Sequence, residues 1–349
     1  MQSLCYNKTN LRVIIGKATN ANAKDVICMQ LKEKVLQELL QAKGEYRSGG
    51  ALAKEFGCSR TAIWKVIEQL KADGCHITAA TNRGYLLSGT PDLLITSYLE
   101  GIFADRCANW KPQYIPGVDS TNNRLKELAA AGAPAGTVII TDQQSAGKGR
   151  LGKSFYSPKG GLYFSLLLRP ELPVSDMMAV TACTASAVYL ALSEFGVDAK
   201  IKWVNDLFLN GRKICGILSE GAFNAEMLSM DYLIIGIGIN LVPDPDMPED
   251  LRQIVTDILS ETGIRILRSE LAAAILCKLE SLIAELPQRT YLPIYKAHSC
   301  TIGHHVAFTS GSETRTALAV DFAEDAGLIV EHPDGSRETL RSGTAKPID

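Results

Sequence analysis

The sequence has no pattern of paired cysteines. Its nine cysteines are an odd number, they are scattered singly along the 349 residues, and no two of them form a Cys-X-X-Cys motif. A disulfide framework needs paired cysteines, and most zinc sites need closely spaced ones. This usage is typical of a protein in a reducing compartment, so we expect a cytoplasmic location.

The sequence also lacks a membrane-length apolar run, which would take about 18 residues. The longest apolar stretch, Met177 to Leu192, is interrupted by Thr181, Thr184 and Ser186 and therefore predicts a buried core helix. Residues 1–25 have no charged segment leading into an apolar one, as a secretory signal would, and they predict a weakly structured leader.

A strong charge of either sign is missing as well. The formal net charge is −2, with 21% charged and 46% hydrophobic residues, which is ordinary for a soluble globular protein. This balance excludes a general attraction to nucleic acid or anionic membrane, so any such affinity must come from a local patch. A chain of 349 residues is long enough for two or three domains.

Residues 26–90 carry the pattern of a winged helix-turn-helix domain. Three segments with helical apolar periodicity are followed by a β-hairpin whose tip is basic. The apolar stripe of the third segment leaves its other faces free for DNA. The expected DNA contacts lie on those faces and on the hairpin tip, namely Arg60, Thr61, Trp64, Lys65 and Arg83.

Local charge does not decide between DNA binding and a small helical adaptor, because residues 31–75 are only mildly basic. An exposed Trp64 is unusual on a solvated helix face. Packing of Trp64 against a neighbouring domain is therefore the alternative to a DNA contact.

The most distinctive stretch is Gly147-Lys148-Gly149-Arg150-Leu151-Gly152-Lys153, which lies between two predicted strands. Glycine permits close approach of a ligand, and Lys and Arg supply positive charge for an anion. The stretch also satisfies GxGxxG, but a dinucleotide fingerprint must open a helix at its last glycine, and the residues after Gly152 are poor helix formers. A solvated basic loop is the remaining alternative.

Other features of this region also favour a polar ligand. Ser120, Thr121 and Asn122 begin a predicted helix, where they serve as caps or present polar groups to a ligand. Lys202 lies in a mostly apolar strand, where it either faces a site or extends from an edge strand into solvent. Three glycines lie inside predicted strands, which indicates a flat ligand against the backbone: Gly216, Gly236 and Gly238.

The last residues alternate short strands with turn signals, which predicts a small all-β domain. The nearby His298, Cys300, His304 and His305 do not match a usual zinc spacing, so we expect no metal site.

Five motifs, taken in order, closely resemble those of the biotin protein ligases. With the winged helix in front, the chain looks like the bifunctional class, the biotin operon repressor/biotin–[acetyl-CoA-carboxylase] ligases. The resemblance implies an α/β (α+β) fold with a winged helix, a central mixed sheet with helices like that of class II synthetases, and an SH3-like C-terminal β-barrel. The domain bounds that it suggests are 1–25, 26–90, 91–297 and 298–349. The five motifs are residues 119–122, 143–152, 202–206, 211–218 and 236–240.

The resemblance implies formation of biotinyl-5′-AMP from biotin and ATP with Mg²⁺, and then transfer of biotin to a lysine of a biotin carboxyl carrier domain. Operator DNA and a homodimer formed on loading with biotinyl-AMP are the other expected partners. By resemblance, Lys202 and Arg150 are catalytic, and nucleotide contacts come from Lys148, Arg150, Lys202 and Asn240. The residues expected at biotin or biotinyl-AMP are Ser120, Thr121, Asn122, Gln143, Gly147, Lys148, Gly149, Arg150, Lys202 and Gly216.

The loop departs from some members of the family, which carry Arg where this chain has Lys148, Leu151 and Lys153. Lysine keeps the charge but loses the two-pronged hydrogen bonding of Arg, so the grip on an anion is looser. Val204 likewise replaces a common Pro after Trp203. A pure biotin-responsive DNA regulator and a lipoate ligase relative remain as alternative functions.

Overall fold

The computed structural model describes residues 23–72, 74–89, 91–169, 176–224, 229–310 and 313–348. The chain divides into two compact units between Leu93 and Leu94. Most of the predicted leader lies outside the described residues, although residues 23–25 already belong to the first helix. The second unit continues to the C-terminus, so the domain boundary at residues 297/298 remains a prediction.

Among its described residues, the first unit has three helices and a two-stranded hairpin. Helix α3 buries Ile63, Val66, Ile67 and Leu70, which is the predicted apolar stripe. The Ser59 hydroxyl accepts a hydrogen bond from the Ala62 amide at the start of this helix, at 3.1 Å. The elements are α1 Ala23–Gln41, α2 Gly49–Glu55, α3 Arg60–Ala72, β1 Ile77–Ala80 and β2 Gly84–Leu87.

The second unit is built on a seven-stranded sheet in the order β3-β4-β5-β9-β8-β7-β6. Only β3 and β4 are parallel, so the sheet is mixed, as predicted. Its strands are β3 Lys111–Tyr114, β4 Thr137–Thr141, β5 Leu162–Leu168, β6 Lys200–Lys202, β7 Asp206–Leu209, β8 Arg212–Asn224 and β9 Ser229–Ile239. Its helices are α4 Thr96–Arg106, α5 Thr121–Ala130, α6 Met177–Glu194, α7 Glu249–Arg252, α8 Ile258–Thr262, α9 Arg268–Ala284 and α10 Tyr291–Ala297.

The two faces of this sheet are covered differently. Helix α5 lies on one face, where Leu125 packs with Ile139, Leu167 and Ile234. The other face carries α6, which also packs against α9 and α10. Helix α6 is long and apolar enough to cross a membrane, but most of it is buried between the sheet and these helices, as a core helix is.

The C-terminal residues form a five-stranded antiparallel sheet in the order β13-β12-β11-β10-β14, within the same compact unit. Trp203 joins it to the larger sheet, because its indole Nε1 donates to the Ala326 carbonyl at 3.1 Å. The predicted all-β character of this region is confirmed. The strands are β10 His305–Ser310, β11 Glu313–Phe322, β12 Leu328–Glu331, β13 Arg337–Leu340 and β14 Ala345–Pro347.

Candidate functional site

A cleft opens where the N-terminus of α5 meets the face of the seven-stranded sheet. Its volume is about 450 Å³, counting the part open to solvent. It is the meeting point of α5, the loop at residues 147–155 (the lid loop) and strands β8 and β9. The lining residues are Ser120, Thr121, Asn122, Gln144, Lys148, Gly149, Arg150, Phe155, Asn205, Lys213, Gly216, Ile217, Leu218, Gly236, Ile237 and Gly238.

The floor of the cleft is a strip of glycine backbone. Gly236 and Gly238 are two residues apart on β9 and therefore face the same side, and Gly238 pairs directly with Gly216 on β8. A methyl group at Gly236 would lie 2.2 Å from Asn122 Oδ1, and one at Gly238 would lie 2.4 Å from a ring carbon of Phe155. The glycines predicted to underlie a ligand thus line the cleft, and protein side chains lie over them here.

The start of α5 is a buried polar network. The Thr121 amide donates to Gln144 Oε1 at 2.9 Å, which caps the helix with a side chain from the loop after β4. Asn122 Nδ2 donates to Glu220 Oε2 at 2.7 Å, and Ser165 Oγ donates to Asn122 Oδ1 at 2.5 Å. This network fixes the polar groups at one end of the cleft.

Gln144 lines the cleft, whereas Gln143, the glutamine expected at biotin from the sequence, does not. Gln143 is exposed, and its side chain lies against Gly117 outside the cleft. Gln144 points inward and bonds both α5 and Ser157, whose Oγ accepts from Gln144 Nε2 at 2.9 Å. The two glutamines follow β4, where the chain bends, so their orientation could not be read from their order.

The lid loop folds back on itself as a short hairpin. Lys148 bridges to Ser154, and the Phe155 amide donates to the Gly147 carbonyl at 2.8 Å. Any side chain at Gly147 would lie 2.4 Å from the Phe155 carbonyl, so this close approach requires glycine. Gly152 ends a 3₁₀ turn and no helix opens there, so the dinucleotide fingerprint is excluded.

Three cations line the cleft: Lys148 lies beside the start of α5, and Arg150 and Lys213 lie toward Asn205 and Asp206. Lys148 Nζ donates to Asn123 Oδ1 at 2.6 Å, and Arg150 donates to Asn205 Oδ1 at 3.3 Å. Burial lowers the pKa of Arg150 from its ordinary value, and attraction to Asp206 opposes this. The third cation, Lys213, pairs with Asp206 across a Nζ–Oδ1 distance of 2.7 Å.

Lys213 was not assigned a role from sequence. Strict alternation along β8 would place Lys213 and Gly216 on opposite faces of the sheet. Leu207 pairs with Cys215 and Phe208 with Lys213, so Ile214 is an extra residue in β8. This β-bulge lets Ile214 and Cys215 both face the core and brings Lys213 to the same side as Gly216. The lysine Nζ lies 5.5 Å from the centre of the Phe155 ring.

Lys202, which the sequence placed at the reacting centre, lies outside the cleft lining. It pairs with Asp206 across β6 and β7, so it is on the correct face but farther from the glycine floor. Its Nζ lies 4.9 Å from the centre of the Phe208 ring, and burial lowers the pKa of Lys202. Lys213 thus lines the cleft and Lys202 does not, and the role expected for Lys202 stays a prediction.

Asn240 is also outside the cleft. Its Nδ2 donates to the Thr256 carbonyl at 3.1 Å, and its backbone amide donates to the Ile214 carbonyl at 2.8 Å. These bonds fasten the chain after β9, and the nucleotide contact expected for Asn240 stays a prediction.

No Asp or Glu among the described residues lines the cleft, whereas Lys148, Arg150 and Lys213 do. The nearest carboxylates, Asp206 and Glu220, are already paired with Lys213 and Lys126. The cleft therefore has a positive end suited to a carboxylate and a phosphate together, and a polar end suited to a neutral ring. Among the described residues there is no group of three His, Cys, Asp or Glu that could hold a metal ion.

In the first unit the residues predicted to contact DNA are all exposed. Trp64 is 53% exposed on α3, and Thr61 and Lys65 are exposed beside it. Arg60 lies back against α2, close to Gly50. Arg83, at the hairpin tip, places its guanidinium 4.1 Å from the centre of the Tyr46 ring.

Comparison with known proteins matches both parts of the chain. Residues 114–240 match the Biotin/lipoate A/B protein ligase family, and residues 32–86 match the HTH domain. The bifunctional ligase/repressor BirA of Bacillus subtilis (strain 168) is 31% identical over 314 residues, covering 88% of this chain and 96% of that protein. The protein of the same name from Escherichia coli (strain K12) is 29% identical over 263 residues, covering 73% and 77%.

A solved structure is similar as well. The biotin protein ligase from Aquifex aeolicus in complex with biotin and ATP superposes with a TM-score of 0.58 and 28% identity, covering 67% of this chain and 97% of that one. The chain thus combines the cationic glycine loop, the glycine floor and the N-terminal helix-turn-helix, and it is similar to bifunctional ligase/repressors over most of its length. The chain belongs to the biotin/lipoate A/B protein ligase family, among its bifunctional ligase/repressors.

Proposed function

We propose that this chain is an ATP-dependent biotin protein ligase that makes biotinyl-5′-AMP and transfers biotin to a lysine of a biotin carboxyl carrier domain. The observation that carries the proposal is the cleft itself, which has neutral polar groups at the start of α5, a glycine floor and three lining cations, two of them, Arg150 and Lys213, toward Asn205 and Asp206. Biotin has the matching order of parts: a ureido ring, an apolar tail and a carboxylate.

In this arrangement the biotin ring meets Ser120, Thr121, Asn122 and Gln144, whose amides and hydroxyls both donate and accept hydrogen bonds. The Phe155 ring covers Gly216 and Gly238 in this structure, so it moves aside when the apolar tail reaches the glycine backbone. The carboxylate then points to the cationic end of the cleft.

The first step joins two anions, so it needs positive charge more than it needs a base. A biotin carboxylate oxygen attacks the α-phosphorus of ATP, the bond to the β-phosphate breaks, and pyrophosphate leaves. Arg150, Lys148 and Lys213 offset the repulsion and the charge that develops on the phosphate oxygens. Mg²⁺ arrives with the phosphates of ATP, since it keeps most of its ligands from water and phosphate.

In the second step the acceptor lysine amine attacks the acyl carbon, AMP leaves and the amine loses a proton. No His, Asp or Glu among the described residues lines the cleft as a general base. The contribution of the protein is therefore positioning of the two reactants and exclusion of water by the lid loop. Arg150 and Lys213 are the proposed catalytic residues, and Lys148 and Gly149 hold the adenylate.

We further propose that the first unit binds operator DNA and represses biotin genes. Support comes from the exposed α3 surface with Thr61, Trp64 and Lys65, which has the dimensions of a major-groove helix, and from Arg83 at the wing. The seven cysteines whose side chains the structure describes are free, which agrees with a reducing cytoplasm as the place of action.

Homodimerisation on loading is part of the same proposal. Strand β8 pairs with β7 only up to Gly216, and Asn205 extends the contact to Ile217. Among the described strands none lies on that side of β8 farther along. A free strand edge beside the cleft is a surface to which a second copy adds its own strand. Sedimentation with and without biotin and ATP tests this.

The test of the ligase proposal uses the full chain with biotin, MgATP and a carrier domain. We expect biotin-dependent exchange of labelled pyrophosphate into ATP and streptavidin-detectable carrier. Exchange that depends on lipoate instead of biotin would establish the lipoate ligase alternative. A biotin-dependent gel shift with no exchange would establish the pure regulator.

A further inference from the structure

The segment after β9, residues 242–256, is joined through its backbone to Lys213, which lines the cleft. The Lys213 amide donates to the Ile254 carbonyl and its carbonyl accepts from the Thr256 amide, both at 2.9 Å. These two bonds form a parallel bridge between Lys213 and Val255. The position of Lys213, beside the bulge in β8, is therefore set partly by this segment.

One carboxylate fastens the same segment to β8. Glu261, on α8, accepts from Thr256 Oγ1 at 2.7 Å and from Asn210 Nδ2 at 2.6 Å, and it pairs with Arg212. The guanidinium of Arg212 also donates to the Arg252 carbonyl at 3.3 Å. Glu261 thus contacts Asn210 in the turn before β8, Arg212 at the start of β8 and Thr256 directly. It reaches Arg252 through Arg212.

The chemistry of this node requires a charged carboxylate. The Glu261 side chain is 9% exposed, and three side chains donate to its two oxygens. A neutral amide has one acceptor oxygen, and its NH₂ group would face the donors of Asn210 or Arg212. Replacement by Gln therefore breaks part of the node while it keeps the size of the side chain.

Resting on the proposed ligase function, we propose that Glu261 is a positioning residue for the adenylation step. Through Thr256 and Arg212 it fixes residues 252–256, and these residues hold Lys213 at the cationic end of the cleft. Glu261 itself does not touch substrate. The biotin ring end, at Ser120 and Gln144, belongs to other elements and is independent of this node.

The test compares Glu261→Gln with Glu313→Gln, which changes an exposed glutamate that pairs with Arg315 and serves as the matched control. In biotin-dependent pyrophosphate exchange we expect kcat to fall about tenfold for Glu261→Gln, because a small misplacement of a charged group costs one to two orders of magnitude. The KM for biotin should change less than about twofold. The control should match the wild type.

Trypsin cleavage of the native full-length chain after Arg252, an exposed residue of the same segment, provides a readout independent of catalysis. We expect faster cleavage there in Glu261→Gln. Thr256→Val removes one of the donors, and its effect on kcat should be less than additive with Glu261→Gln, since both break the same bond. Thr256→Val also serves if Glu261→Gln fails to fold.

Equal kcat in the wild type and the variants, or a rise in KM for biotin equal to the fall in kcat, would overturn the proposal. A lower melting temperature with unchanged kcat would also overturn it. Absence of exchange in the wild type is a different outcome, because it removes the ligase function and not the role of Glu261 alone.

Discussion

Lys213 and Lys202 are two lysines on neighbouring parts of one sheet, and the structure assigns them different roles. We predict that Lys213→Met severely reduces adenylate formation, whereas Lys202→Met has little effect. Lys213 lines the cleft and pairs with Asp206, while Lys202 lies over the Phe208 ring outside the cleft. Methionine keeps the length and apolar stem of lysine and removes only the charge.

The magnitude follows from the burial of Lys213. A unit charge about 4 Å from a phosphate oxygen contributes roughly 1 kcal/mol in bulk water and roughly 4 kcal/mol at an effective dielectric constant of about 20. The Lys213 side chain is 23% exposed, which places it nearer the second value. A loss of about 3 kcal/mol lowers the rate roughly a hundredfold. Stability should also fall, by about 1–3 kcal/mol, because Asp206 Oδ1 is buried and loses this partner.

The assay is biotin-dependent pyrophosphate exchange, measured for the wild type and both variants together with their melting temperatures. We expect kcat/KM to fall about a hundredfold in Lys213→Met and less than about fivefold in Lys202→Met. A larger loss in Lys202→Met than in Lys213→Met would refute the placement of the two side chains. Equal losses would show that the charge of the whole sheet edge matters, and not the position of one lysine.

Three further predictions concern the floor, the polar network and the DNA surface. Gly236→Ala places a methyl group 2.2 Å from Asn122 Oδ1. Calorimetry should therefore show a biotin affinity at least about tenfold lower and a free energy of unfolding about 1–3 kcal/mol lower than in the wild type. Gly101→Ala is the control, because a methyl group there meets nothing within 4 Å, and it should be neutral or stabilising. Burial alone would raise the pKa of Glu220, but hydrogen bonds from Lys126 and Asn122 bring it below its ordinary value. The charged Glu220 therefore contributes its full stabilisation above the pKa of the unfolded state, and this stabilisation is lost as the pH falls through the pKa of the folded state. The difference in melting temperature between the wild type and Glu220→Gln should be a few degrees at about pH 7 and should vanish below about pH 4. A difference that stays constant with pH contradicts the pairing. Gel shifts at several salt concentrations give the slope of log affinity against log salt concentration. Trp64→Ala should weaken operator binding and leave this slope unchanged, whereas Lys65→Ala should lower it by about one. An unchanged slope in Lys65→Ala would place Lys65 away from the phosphates.

The parts of the site that could be predicted from sequence are those fixed by local chemistry. The cap-rich start of α5 and the cationic glycine loop both line the cleft, as do Gly216, Gly236 and Gly238. Capping residues, glycines inside strands and clustered cations each have a local physical reason that remains visible without the fold.

The parts that could not be predicted depend on register and on bends. A β-bulge at Ile214 reverses the alternation and brings Lys213 into the cleft. The bend after β4 decides between Gln143 and Gln144, and Lys202 is displaced because β6 lies at the far side of β7 from the floor. Asn240 follows the last residue of β9 and turns away. These features leave no trace in the composition or the periodicity of the sequence. They could be found only from the pairing register of the strands and the path of the chain in three dimensions.

The central claim is that the cation-lined, glycine-floored cleft makes and retains biotinyl-5′-AMP. The most direct test is native mass spectrometry of the full chain after incubation with biotin and MgATP. We predict one biotinyl-5′-AMP bound per chain, with its population strongly reduced in Lys213→Met. Binding of biotin and ATP side by side with no adenylate, or an adenylate retained equally by Lys213→Met, would contradict the account.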